Sequence, residues 1–158
     1  MKMNPRLVMV TLIVMMTGVG ACHNSPADRK QTADDFLPPP ELIAANVRDT
    51  DISVDVRLQE VAVDREPSQD DIYGEWKITA EVLKTFKGNV KPGQTVTYFW
   101  RFEQGIKAPQ PGSRHLASLK LLPDRPGAAA YVVPDNGYHF PYDEKLEETF
   151  KRASESQK

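Results

Sequence analysis

The side chains able to pass protons, bind metals or attack a carbonyl near neutral pH are few: three histidines and a single cysteine. His23, His115 and His139 show neither an HxH nor an HExxH spacing. His115 and His139 can meet only through the fold, with Asp135 a third polar neighbour, and structural or surface roles are the simpler expectation for them. Ser113 and Ser118 flank His115, yet nothing in the sequence orients them as nucleophile and base. No GxSxG, phosphate-binding loop or dinucleotide fingerprint occurs. The acid pairs Asp34-Asp35 and Asp70-Asp71 fall in loop-like stretches without the spacing of a calcium loop, so solvation is expected rather than catalysis or calcium binding. The expectation is a non-enzyme with no catalytic residue, no metal and no cofactor.

Cys22 is the most informative of these residues because of what precedes it. Lys2 and Arg6 give a basic start, Leu7 to Met16 an apolar run, and Gly18 to Ala21 a small-residue exit. That is the order of a secretory signal peptide. A membrane-spanning helix fits less well: Leu7 to Ala21 would reach about 22 Å at ~1.5 Å per residue, against roughly 30 Å of hydrocarbon. Val19-Gly20-Ala21-Cys22 resembles the lipobox of bacterial lipoproteins. The resemblance implies cleavage before Cys22 and fatty acylation of its thiol, with chains such as palmitate. Two or more chains anchor a protein stably on a bilayer. The plain alternative is ordinary cleavage after Ala21, leaving a free thiol. His23 stands where many enteric lipoproteins kept at the inner membrane have aspartate, so the resemblance implies the periplasmic face of the outer membrane.

The sulfur count fits export. All five methionines lie between Met1 and Met16, and a chain beginning at Cys22 could form no internal disulfide. Zinc sites built from several cysteines and paired-cysteine redox motifs are excluded on the same ground, and cysteine catalysis is not expected. Of 20 Lys and Arg, the loss of Lys2 and Arg6 leaves 18 against 22 acidic side chains, a net charge of −4. That balance points away from nucleic acid and anionic surfaces.

The elements that must position the remaining candidates read as mostly β. Residues 1–21 are the signal peptide. Residues 22–40, polar and ending in Pro38 to Pro40, read as a tether whose triple proline is extended and stiff. Residues 41–158 are the size of one domain. Ile52, Val54, Val56 and Leu58 alternate with polar residues, which predicts a half-buried strand. The alternation then changes phase at Val61 and Val63, which predicts a bulge near Gln59-Glu60. Trp76 to Val82 and Thr95 to Phe102 read as two strands of a hairpin around the turn-rich KGNVKPGQ. His115 to Leu122 fits strand or helix by pattern and reads as a strand after Pro-Gly-Ser; Tyr131 to Val133 adds a short strand, and Asp135-Asn136-Gly137 marks a turn. Arg65 to Asp71 and Gly105 to Ser113 are loops. Leu146, Phe150 and Ala153 share one face of a C-terminal helix, with Glu147–Lys151 and Glu148–Arg152 as i,i+4 pairs. The expected fold is a mostly-β, five- to six-stranded barrel or sandwich with a C-terminal α-helix.

The segments EVLKTFKGNVKPGQTVTYFW, PGSRHLASLKLL and YVV…GYHF resemble small exported bacterial β-domains of the netrin/TIMP-like OB-barrel type, over roughly Glu41 to Phe140. The resemblance implies a Greek-key barrel. The N-terminal cysteine framework on which that family's inhibitory edge depends is absent, so protease inhibition does not carry over.

YFWRF, Tyr98 to Phe102, is the stretch most suited to recognition. If Tyr98, Trp100 and Phe102 point inward, Phe99 and Arg101 point outward as an aromatic and arginine patch, the composition enriched at interfaces. The expected function is a lipid-anchored envelope binding module contacting an envelope protein through Phe99 and Arg101. The alternative is a periplasmic inhibitor or immunity protein against a toxin or envelope hydrolase.

Overall fold

The computed structural model describes residues 37–123 and 130–157. The signal segment, Cys22, His23 and Asp34-Asp35 lie outside the described residues. All described residues belong to one compact unit, 33–158.

The unit begins with a helix, α1, Pro40–Asp49. It starts inside the stretch expected to be extended, and Leu37 already packs on the helix layer. The triple proline is compatible with this because proline favours the first helical turn, where its missing N–H is not needed. Pro39 keeps an extended conformation (φ −55°, ψ 140°) and Pro40 opens the helix. Ile43 and Val47, one turn apart, are fully buried. At the other end Lys87 Nζ donates to the carbonyls of Val47 (2.8 Å), Arg48 (2.8 Å) and Thr50 (2.6 Å). A cation on the last carbonyls of a helix satisfies orphan acceptors and opposes the helix dipole.

Six strands follow: β1 Ile52–Arg65, β2 Tyr73–Lys87, β3 Thr95–Glu103, β4 Arg114–Leu122, β5 Ala130–Val132 and β6 His139–Pro141. Their order is β1-β2-β3-β5-β4-β6, and β1 also pairs with β4, so five strands close on themselves in a barrel-like sheet. The β3–β5 pair is parallel and the others are antiparallel. The fold is thus the expected mostly-β architecture, a barrel-like sheet with a C-terminal helix, α2, Glu144–Glu155.

The bulge lies where the change of alternation put it, between Leu58 and Glu60. Beyond Arg57 the β4 pairing ends and β1 continues against β2 alone. Ile52, Val54, Val56 and Leu58 face an interior shared with Trp76, Ile78, Ala80, Val82, Val96, Tyr98, Ala117 and Leu119. A second apolar layer forms outside the sheet, where α1 and α2 meet Phe86 and Leu116. Leu146, Phe150 and Ala153 bury there, and the Asp143 carboxylate caps α2 by accepting from Lys145 N (2.9 Å) and Leu146 N (3.1 Å). Of the two i,i+4 pairs expected on α2, Arg152 reaches Glu148 at 3.9 Å, whereas Glu147 accepts from Lys84 Nζ at 2.6 Å.

This outer layer also covers polar groups. Asp55, fully buried, accepts from Arg114 Nε at 2.9 and 3.0 Å and from Nη2, and the guanidinium lies 3.5 Å over the Tyr142 ring. Ser53 and Ser118 share a 3.0 Å hydrogen bond across β1 and β4. Ser118 is therefore a sheet-stabilising hydroxyl and lies on the opposite face from His115.

Candidate binding site at the loop end of the sheet

Strand directions bring one set of termini together. β1 and β3 end where β2 and β4 begin, and β5, parallel to β3, ends there too. The loops 66–72 and 104–113 and the turn 133–138 therefore share one end. Gln104 N donates to Ile72 O at 2.8 Å, tying the first two loops together.

Trp100 sits at the centre of this end. It is half-buried, with its ring 5.3 Å from Trp76 at 72° and 4.2 Å from His139 at 35°. Its Nε1 donates to Asn136 Oδ1 at 3.3 Å. Phe102 stacks on Trp76 at 4.2 Å. The Gly74 position is what admits that stack, since a Cβ there would stand 2.3 Å from Phe102 Cζ. Trp100 lines three clefts. One, about 330 Å³, is bounded by Tyr73, Arg101, Asp135 and Asn136. A broader one, about 590 Å³, is floored by His115, Ser113 and Tyr142 and edged by Lys107. The third, about 220 Å³, runs between Phe102 and Ile106.

Arg101 is exposed as expected, and its guanidinium lies 3.9 Å over the Tyr73 ring. Asp71 holds it from the side at 3.9 Å while accepting from Arg65 Nη1 at 2.7 Å and Tyr73 N at 3.0 Å. The Arg65 hydrogen bond and the Tyr73 N–H hold the Asp71 carboxyl below its usual range, so it stays ionised. The expectation for Phe99 is overturned: its side chain is only 4 % exposed. Alternation does turn it away from Tyr98 and Trp100, but β3 is paired on both edges and buried on both faces at this point. Of the expected pair, Arg101 alone is presented to solvent.

His115 and His139 do meet, with ring centroids 4.7 Å apart. His139 Nε2 lies 2.8 Å from the Tyr98 hydroxyl, and His115 Nε2 lies 2.9 Å from Ser113 Oγ. Asp135 is not part of the cluster; its carboxylate instead accepts from Asn136 N at 2.7 Å and starts the turn. Burial lowers the pKa of both histidines, that of His139 well below its ordinary value with His115 adding to the effect, so both rings are neutral at pH 7. Burial also raises the Tyr98 phenol, which stays protonated. The Ser113 hydroxyl donates to Gln110 O at 2.5 Å, so its oxygen accepts from His115 Nε2–H. This is the reverse of an activated nucleophile, whose proton must go to the histidine. Both Nδ1 atoms are buried without a hydrogen-bond partner among the described residues.

The sequence singled out YFWRF and the histidines but not Trp100 as the pivot. One signal was available: Tyr98-Phe99-Trp100 is an unbroken apolar run, and such runs mark strands buried on both faces. Among the described residues no group of three or more His, Cys, Asp or Glu is placed to hold a metal, and no helix is long and apolar enough to cross a membrane. No protein-family model matches the chain and no curated protein is significantly similar to it.

Proposed function

We propose that the protein is a non-catalytic binding module of the cell envelope, held on the periplasmic face of the outer membrane by lipid on Cys22. The loop end of the sheet, centred on Trp100 and Arg101, makes the contact. The observation that carries this reading is one half-buried tryptophan lining three clefts beside an exposed, pre-stacked arginine. Tryptophan and arginine are the residues most often dominant in binding energy, and both are held in fixed orientation by Asn136, Tyr73 and Asp71. The lipobox-like sequence supports the anchor.

Photo-crosslinkers placed at Arg101 and Lys107 should give adducts in living cells, whereas one on the exposed α2 position Lys151 should not. Equal labelling at all three, or none at Arg101 and Lys107, would reject the loop end as the contact surface. Cys22→Ala should abolish lipid labelling and leave unprocessed precursor. Normal maturation of that variant to a soluble form would reject the lipid anchor.

A further inference from the structure

The cleft of about 330 Å³ beside Trp100 has a chemistry of its own. Besides the Tyr73 phenol, its polar lining residues carry planar groups: a guanidinium on Arg101, a carboxylate on Asp135 and a carboxamide on Asn136. Its formal charges are one cation and one anion, so the site as a whole is neutral. Trp100 adds an aromatic wall whose tilt is fixed by the bond to Asn136 and by packing on His139.

We propose that this cleft binds a neutral, polyhydroxylated ligand, a pyranose unit of a glycan; the proposal rests on the loop-end reading above and names its ligand. A sugar ring has an apolar C–H face that suits an aromatic ring, and a rim of vicinal hydroxyls. Planar carboxylate, amide and guanidinium groups meet two neighbouring hydroxyls at once, much as they form paired bonds with other planar partners. The volume lies at the lower end of the ~300–1,000 Å³ usual for small-molecule sites, which suits one residue of a chain rather than a folded partner.

Other ligand classes meet specific obstacles here. A polyanion such as nucleic acid derives its affinity from an excess of cations, whereas Arg101 is already countered by Asp71, and Asp135 adds a second carboxylate to the cleft. An extended peptide adding to a sheet needs an open strand edge. β3 pairs with β2 over its whole length and with β5 over Thr97–Phe99, which leaves only the short stretch Trp100–Glu103 of that edge for an added strand.

Both tryptophans of the chain, Trp76 and Trp100, lie at this end, so intrinsic fluorescence reports on the cleft directly. The full chain is titrated with cellotetraose and with the β-1,4-linked tetramer of N-acetylglucosamine, beside oligothymidylate and inorganic phosphate. At least one sugar should give a saturable change at millimolar concentration or below. Arg101→Ala and Asp135→Asn should each weaken it roughly tenfold, as expected for loss of a charge-assisted hydrogen bond, with the melting temperature of Arg101→Ala unchanged. A response to the polyanions alone, no saturable response to either sugar, or one that both variants leave intact would overturn the proposal. If the sugars fail while crosslinks at Arg101 and Lys107 persist, the ligand class falls and the binding module stands. If both fail, both fall.

Discussion

Tyr98, His139 and His115 form a line of buried polar groups that ends at the half-buried Ser113, and its protonation state is tied to folding. The unfolded chain titrates its histidines near ~6.5, whereas the folded chain keeps His115 and His139 neutral to lower pH. Below about 6.5 the unfolded state therefore takes up protons that the folded state refuses. Stability contributed by the neutral rings is complete above that pH and is lost as pH falls, by about 1.4 kcal/mol per pH unit for each ring that stays unprotonated. Urea denaturation at intervals between pH 7 and 5 should show this slope, clear of the carboxylates, which titrate lower. His139→Gln, which can still bond Tyr98, should make the slope shallower whatever it does to absolute stability. An unchanged slope would show that His139 charges freely in the folded protein. The two outer-face residues of β3 separate just as sharply. Phe99→Ala is expected to cost about 3–5 kcal/mol as a core truncation, while Arg101→Ala should leave unfolding nearly unchanged. Denaturation midpoints of the two variants decide this.

At the scale of elements, the strands were largely legible because alternation is a local signal. Ile52 to Leu58, the bulge after Leu58 and the β2–β3 hairpin could all be read from spacing alone. Leu146, Phe150 and Ala153 announced α2 in the same way. Helix α1 escaped because little local holds it. Pro39 provides no side-chain cap, and the helix depends on Lys87, some 40 positions later, and on an Asn46 Nδ2 bond to the Gly137 carbonyl. The candidate site was harder for the same reason, since Trp100 meets Asn136 and His139 only through the return of the chain after β5. The helix layer makes its own prediction. Arg114→Met strands the buried Asp55 carboxylate; because Arg114 is 38 % exposed and partly screened, the loss should fall near or below the ~3 kcal/mol lower bound for buried pairs. Asp55→Asn combined with Arg114→Met should recover part of it. A single Arg114→Met variant as stable as wild type would show that the pair contributes nothing net to stability.

For the molecule as a whole, the two apolar clusters share a strand. On β4, Ala117 and Leu119 face the sheet interior while Leu116 between His115 and Ala117 packs under the helices. Neither layer can come apart without exposing the other side of β4, so one cooperative transition is expected. Tryptophan fluorescence, which reports the interior, and far-ultraviolet dichroism at a helix-weighted wavelength should give coincident denaturation curves. Separate midpoints would mean that the helix layer melts alone. The fastening of α1 has a mechanical side. The chain enters the folded unit through Pro40, and α1 is bonded by Asn46 to Gly137, next to the residue that steadies the Trp100 indole. Displacing α1 would therefore strain the 133–138 turn beside Trp100 as well as the Lys87 bonds and the packing on α2.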